Sequence, residues 1–252
     1  MYRAIKKREG KVNSEIGKKG VLLARRDNSK FVRDIYEGVI SRFADNVPKN
    51  DIILWILNEI DLMFSGCKPY TDFIVTKAVG DTNNLQPEAF INEKGKKKAK
   101  IGNYTVPILS SNKEEREKQM KKKGAKNIQD YYLLCLPAQV QLAERMRRRG
   151  QRVDNGTRLE YIITDPENHT GKQYEKVESS DYYNKHKNLI KIDYYYYLKA
   201  LANPLDQLLN VAFGNDKNWK NDFVLEQYKI RIKRGKYLKE LENLSKPKIK
   251  IL

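Results

Sequence analysis

The sequence predicts an α+β fold, mainly α, in which a β-hairpin is followed by helices with a small β subdomain. Three observations carry this. Apolar residues recur at helical spacing after Asn28 and again after Pro48, while short β-branched runs bounded by glycine stand near the N-terminus and at 71–79. The composition can also build a core: 40% of the 252 residues are hydrophobic, and 16 Tyr, 7 Phe and 2 Trp supply packing surface that disordered basic chains lack. A chain of this length folds as one large domain or two small ones.

Residues 1–27 read as short extended runs punctuated by Gly10, Gly17 and Gly20. One run includes Tyr2, Ala4 and Ile5 and the other spans 21–24, giving a hairpin that ends at Arg25 and Arg26. Asn28 or Ser29 then caps a helix whose Phe31, Ile35, Val39 and Phe43 repeat every four residues beside Val32, Tyr36 and Ile40. Pro48 opens a second helix with Ile53, Ile56, Leu57, Ile60, Met63 and Phe64 inward, and Gly66 stops it. The run TDFIVTKAV at 71–79 predicts a strand.

Between Asp81 and Gln129 apolar residues thin out and KGKKKAK and KEEREKQMKKKGAK dominate, which predicts an insertion or a mobile arm. Helical periodicity returns from Tyr131 to Met146 through Leu136, Val140 and Ala143 and runs into RMRRRGQR. A turn at Asn155-Gly156 leads into a strand over 158–164. Residues 193–202 predict a tyrosine-rich helix, and Asn203-Pro204 reads as an N-cap and first-turn proline that restart helix toward Phe213. The basic tail after Gly214 has helical character to about Leu244, and no internal repeat is visible.

Charge narrows the function. Fifty Lys and Arg against 32 Asp and Glu give a formal net charge of +18, which points to a polyanionic partner. The densest cluster is Arg145, Arg147, Arg148, Arg149 and Arg152. Guanidinium groups so close together repel unless water or phosphate oxygens surround them, and arginine binds phosphate through paired, charge-assisted hydrogen bonds. A helix end complementing its own dipole needs one such cation, not five. Nothing reads base edges, so contact with the nucleic-acid backbone without sequence choice is favoured.

Other chemistries find less support. GDTNN at 80–84 has the outline of a metal-carboxylate hairpin, but Asn83 stands where the second acid is needed and Asp81 has no evident partner, so no two-metal site is predicted. Phosphate-binding loop, dinucleotide and hydrolase-elbow motifs are absent. Tyr194–Tyr197 point around a helix rather than along one face, which favours core packing for some and wet edges for others over a base-stacking platform. The lysines at 94–100 read as a solvated loop with a general attraction for DNA. Cys67 and Cys135 are too few for a disulfide framework or a four-ligand zinc site, which favours a reducing, intracellular compartment. His169 and His186 read as surface residues. No apolar run approaches the ~20 residues that span a bilayer, and no secretion signal or membrane association is predicted.

Three stretches say more. KKGVLLARRDN at 18–28, DFIVTKAV at 72–79, and PAQVQLAERMRRRG at 137–150 followed by GTRLEYII at 156–163 stand in the order seen in family B DNA polymerases. DYYYYLKALANPLDQLL at 193–209 is similar to the end of their thumb. The chain resembles the C-terminal part of a delta-like replicative polymerase over residues 18–213, and its lysine-rich insertion resembles the polymerases of large DNA viruses. The resemblance implies a palm-edge hairpin at 1–28, thumb helices and a strand at 29–80, the insertion at 81–130, the thumb with its arginine-tipped helix at 131–213, and a basic tail at 214–252.

The family motifs DxxSLYP, KxxxNSxYG and YGDTDS do not occur here. The resemblance therefore implies a palm edge and thumb encoded separately or cut from a longer polypeptide, and a part of a nucleotidyltransferase that is not catalytic alone. The cysteine-rich module of cellular relatives is also missing. No cofactor is expected in this chain, magnesium belonging with the absent palm carboxylates. Lys18, Lys19, Lys77, Arg145, Arg147, Arg148, Arg149 and Arg158 are implied DNA contacts, and Arg25, Arg26 and Asp27 implied structural ion pairs. Pro137 and Gln139 open the arginine-tipped helix as architecture. The implied partners are primer-template DNA and an N-terminal polymerase part carrying palm and fingers, with a sliding clamp as a further candidate although no clamp-binding peptide is visible. If viral, the chain works in the host nucleus or a cytoplasmic virus factory. The competing reading is a free-standing accessory protein, descended from a thumb, that binds DNA without sequence preference.

Overall fold

The computed structural model describes residues 28–82, 85–164 and 177–214, Glu226, and the backbone of 2–8 and 11–17. The fold is α+β and mainly helical, and it divides into two compact units, Met1–Phe73 with Asp193–Leu252, and Ile74–Ile192. No described helix is long and apolar enough to cross a membrane.

In the first unit, β1 (Tyr2–Arg8) pairs antiparallel with β2 (Lys11–Gly17), with Arg8 opposite Lys11. The second strand of the hairpin is thus the polar run KVNSEIG, which has too few apolar residues to signal a strand. Residues 21–24, expected to supply that strand, lie outside the described residues, as do Lys18, Lys19, Arg25, Arg26, Asp27, His169 and almost all of the tail.

Helix α1 (Lys30–Ala44) begins where the Ser29 hydroxyl accepts from the Val32 N–H, and it buries Phe31, Val32, Ile35, Tyr36, Val39 and Ile40 along one stripe. Helix α2 (Lys49–Phe64) buries Ile52, Ile56, Ile60 and Met63. The buried stripe therefore steps by four, four and three residues from Ile52, and the expected Ile53, Leu57 and Phe64 flank it half-buried. Gly66, at φ +73°, turns the chain out of the helix while the Cys67 N–H donates to the Leu62 carbonyl. Gly38 lets α2 approach α1 closely, since a Cβ there would sit 2.3 Å from the Trp55 ring.

The strand expected over 71–79 starts only at Val75. Tyr70–Phe73 instead form a 3-10 turn that drives Phe73 into the core, within 5.0–5.4 Å, centroid to centroid, of the Phe31, Tyr194 and Tyr197 rings. The Tyr197 hydroxyl donates to the Phe73 carbonyl at 2.7 Å. Tyr197 is fully buried and its three neighbours in the run are partly exposed, the division expected for consecutive helical residues. Helix α7 (Tyr194–Phe213) is capped by Asp193 and runs straight through Asn203-Pro204, where a restart was expected. An internal proline costs a helix ~3 kcal/mol. Burying Leu198, Leu201, Leu205 and Leu209, each worth ~1.5–3 kcal/mol, outweighs that loss.

The second unit holds two antiparallel sheets. In the first, β3 (Val75–Ala78), β7 (Arg158–Ile163) and β8 (Val177–Ser179) lie in the order β3-β7-β8. The turn into β7 forms as expected: Gly156 has φ +85° and its N–H donates to the Val79 carbonyl at 2.7 Å. The second sheet, β4 (Glu88–Ile91), β5 (Lys97–Ile101) and β6 (Tyr104–Pro107), occupies the stretch expected as an insertion or mobile arm. The stretch is built into a sheet because, after Lys97, Lys98 and Lys100 take one face of β5 and Ala99 and Ile101 the other, buried one. These two join Val106, Tyr131, Tyr132, Leu133, Leu136 and Val140 in one buried cluster.

Helix α3 (Lys113–Lys123) has no fully buried residue: Met120 packs partly buried against that cluster, the Asn112 side chain accepts from the Glu114 and Glu115 N–H groups, acids occupy the first turn and lysines the last. The helical stretch expected over 131–146 forms two helices, α4 (Ile128–Cys135) and α5 (Ala138–Arg148), broken at Leu136-Pro137, and Pro137 opens the arginine-tipped helix as expected. Leu136 is extended at φ −78° and ψ 161°, the conformation that a following proline imposes. A short helix α6 (Ser180–His186) follows β8.

Replacing Tyr197 by Phe is expected to lower unfolding free energy by ~1–3 kcal/mol, as it leaves the buried Phe73 carbonyl unpaired. Phe73→Ala is expected to cost ~3–5 kcal/mol through the cavity it opens, both read from urea unfolding of the whole chain. Burial, with the Cys135 thiol adding, pushes the Tyr131 hydroxyl up to about 12 from 10.0. The folded chain therefore keeps that proton where the unfolded chain releases it, so its contribution is complete below pH 10 and is lost as pH rises toward 12. Tyr131→Phe should show a shallower fall in stability across this window.

Candidate nucleic-acid interface

The cationic end of α5 is built on two glutamates. Glu144, one turn before the arginines, lies 3.3 Å from Arg148 and 3.7 Å from Arg147, the spacing of helical neighbours. Glu178, on β8, takes a two-pronged pair of hydrogen bonds from Arg149 at 3.0 and 3.2 Å and stands 4.0 Å from Arg145. Arg149 also lies over the Tyr182 ring at 4.2 Å, and Tyr182 in turn stacks on His186 at 4.1 Å. These contacts fasten α5 to β8 and α6.

The arginines differ in what they can still do. Arg145 is largely buried and donates to the Val177 carbonyl; burial lowers its pKa, Glu178 opposes that shift, and it stays cationic. The Arg149 pKa is raised, chiefly by its hydrogen bonds to Glu178. Arg147 donates through Nε to the Val153 carbonyl at 2.9 Å and lines a polar pocket of about 500 Å³ with Asp81, Glu144 and Asp154, whose carboxylates disfavour a phosphate. Arg148 is 66% exposed and Arg152, paired with Asp154 at 2.9 Å, is 87% exposed. The helix end thus offers Arg148 outward, while Arg145, Arg147 and Arg149 also hold neighbouring backbone or β8.

Lys77 and Arg158 sit on adjacent strands, Lys77 opposite Leu159 and Arg158 opposite Ala78. The pleat therefore directs them to opposite faces of the sheet. Arg158 is exposed and Lys77 half-buried. The structure brings the four arginines of α5 together and does not add Lys77 and Arg158 to one flat surface with each other.

The GDTNN segment has a structural account. The Gly80 N–H donates to the Tyr104 hydroxyl and the Asp81 N–H to the Asn103 side chain, both at 2.7 Å, while the Asn155 amide donates to the Asp81 carboxylate at 3.0 Å. A Cβ on Gly102 would lie 2.1 Å from the Asp81 carbonyl oxygen. Among the described residues no three His, Cys, Asp or Glu side chains gather as a metal-binding group. Cys67 and Cys135 are both free thiols.

Sequence reasoning missed Glu144, Glu178 and Gln141. Glu144 was signalled by its i, i+3 and i, i+4 spacing from Arg147 and Arg148. Gln141, rather than Gln139, is the buried glutamine of α5, its amide donating to the Leu136 carbonyl at 2.8 Å across the proline break. Glu178, 29 residues beyond Arg149, gave no local signal.

Residues 1–212 match the family model of DNA polymerase family B. The chain belongs to DNA polymerase family B. This family B chain is 41% identical over 246 residues to DNA polymerase 120R of Invertebrate iridescent virus 3, covering 95% of the chain and 21% of that relative. It is 35% identical over 266 residues to DNA polymerase 037L of Invertebrate iridescent virus 6, covering 93% and 21%. A DNA polymerase of Red sea bream iridovirus is 29% identical over 225 residues, covering 84% and 21%. The family B chain thus spans about a fifth of the length of the curated relatives it matches.

Glu178→Gln should lower stability by ~1–2 kcal/mol, between the values for exposed and buried pairs, because it takes the negative charge away from Arg145 as well as Arg149. Glu144→Gln, which breaks only exposed pairs within one helix, should cost ~0.3–0.5 kcal/mol. Equal urea midpoints for the two variants would show that β8 is not held through Glu178.

Proposed function

We propose that this chain is the thumb-containing part of a viral-type family B DNA polymerase, and that it grips the sugar-phosphate backbone of the primer-template duplex during template-directed synthesis. The observation that carries this reading is the ordered guanidinium cluster at the end of α5 in a family B chain of net charge +18. Arg148 projects from a helix whose other arginines are tied down, so a phosphate meets a cation whose position is already fixed. Arg158 supplies a second exposed cation on β7, while the half-buried Lys77 of β3 lies on the other face of that sheet. A backbone grip holds the primer terminus where carboxylates and magnesium ions carried by the rest of the polymerase act, in an intracellular, reducing compartment. Alone, the chain binds duplexes weakly and incorporates no nucleotide.

Replacing Arg148 and Arg158 together by Ala should weaken duplex binding equally on unrelated sequences. It should also reduce the slope of log K against log salt by about 0.9 for each lost phosphate contact, measured by fluorescence anisotropy across a salt series. Stability should change by less than ~0.5 kcal/mol, since both side chains are exposed. An unchanged slope would overturn the grip, and primer extension by the chain alone would overturn the assignment of chemistry to another part.

A further inference from the structure

We infer a docking site for an extended, acidic and apolar peptide segment of a partner protein along the free edge of β4, a surface independent of the duplex grip. β4 is the edge strand of its sheet, and among the described residues nothing pairs with its outer side. The Asn92 N–H donates to the Lys96 carbonyl, so the pairs Asn92–Lys96, Phe90–Lys98 and Glu88–Lys100 share one hydrogen-bonding phase. The backbone N–H and C=O of Ala89 and Ile91 therefore face outward, an open template for one more strand.

Beside this edge lies a groove of about 520 Å³ lined by the apolar Ala89, Phe90, Ile91, Ile108 and Leu109 together with Lys97, Ser110, Ser111 and Gln119. Phe90 and Ile91 are 37% and 67% exposed, among the few large apolar side chains left in water. Charge selects the occupant. Residues 88–101 carry five lysines, at 94, 96, 97, 98 and 100, against Glu88 and Glu93. A second copy of this chain, at +18, is repelled, and its own lysine-rich tail is equally unsuited.

The pleat also fixes the pattern of the incoming segment. Ala89 and Ile91 share one face of the sheet with Ala99 and Lys97, whereas Lys98 and Lys100 stand on the opposite face with Phe90, which also lines the groove. A strand added to β4 that alternates apolar and acidic residues places its apolar set in the groove and its carboxylates on the lysine face. A nucleic acid has no use for an apolar groove or an open strand edge, so the lysines alone do not account for this surface.

The test uses the full chain and a fluorescein-labelled peptide of alternating valine and glutamate, followed by anisotropy at physiological ionic strength. Saturable binding is expected. It should fall by about tenfold or more in Ile91→Asp, which puts a negative charge at the groove. N-methylation of every second peptide amide, which removes the strand-pairing donors and leaves the protein untouched, should abolish binding when placed in one phase and spare it in the other. Replacing the peptide's glutamates by lysine should also abolish it. Equal affinity for both N-methylated phases, or for the lysine peptide, would overturn the proposal even if Ile91→Asp failed to fold. Displacement of the peptide by duplex DNA together with unchanged affinity in Ile91→Asp would assign the lysines to nucleic acid and overturn it as well. Duplex binding should be unaltered by Ile91→Asp, so the failure of this site and the failure of the grip are separate results.

Discussion

Mutual repulsion among the guanidinium groups at the end of α5 is the constraint that the second unit is arranged around. Four arginines within five residues repel one another at one helix end, and the fold sets carboxylates against them from two directions. Glu144 answers from within the helix and Glu178 from β8. The first contact is local and solvated. The second is two-pronged, backed by the Tyr182 ring, and joins elements far apart in sequence. One consequence is a division of labour in which Arg145 and Arg149 hold β8 while Arg148 faces outward. A cationic cluster that looks uniform in sequence is therefore unequal in the fold, because each of two glutamates pairs with two of its members.

Burial rather than local propensity organises the first unit. Phe73 sits where α1 and α7 meet and is ringed by Phe31, Tyr194 and Tyr197, with the Tyr197 hydroxyl closing on its carbonyl. Placing that ring requires a 3-10 turn where β-branched neighbours favour a strand. The same preference for burial carries α7 through Pro204, because four leucines on one stripe outweigh a single missing hydrogen bond. The lysine-rich stretch shows the complementary case: its composition suggests an unfolded arm, yet the small apolar residues between its lysines are enough to build β5 when Tyr131, Tyr132 and Leu136 cover them.

Much was legible in the chain itself. The Ser29 cap, the apolar face of α1, the glycine stop at Gly66, the turn at Asn155-Gly156 and the strand after it are set by neighbours within a few residues, and they form where those neighbours dictate. The family order of VTK, the arginine-tipped helix and the tyrosine run was legible for the same reason, since each motif is a short contiguous string. Of the candidate site, the positions of the arginines could be read but not their partners.

The sequence by itself determined which residues cap, break and face inward, and it determined the excess of positive charge that a polyanion would meet. Only the tertiary structure decided that Glu178 would claim Arg149, that Lys77 and Arg158 would turn to opposite faces of one sheet, and that no described strand would pair with the outer edge of β4. The physical reason is range. Helix caps and turns are closed by hydrogen bonds between near neighbours, whereas an ion pair across 29 residues or the register of a sheet exists only once chain segments distant in sequence have been packed together.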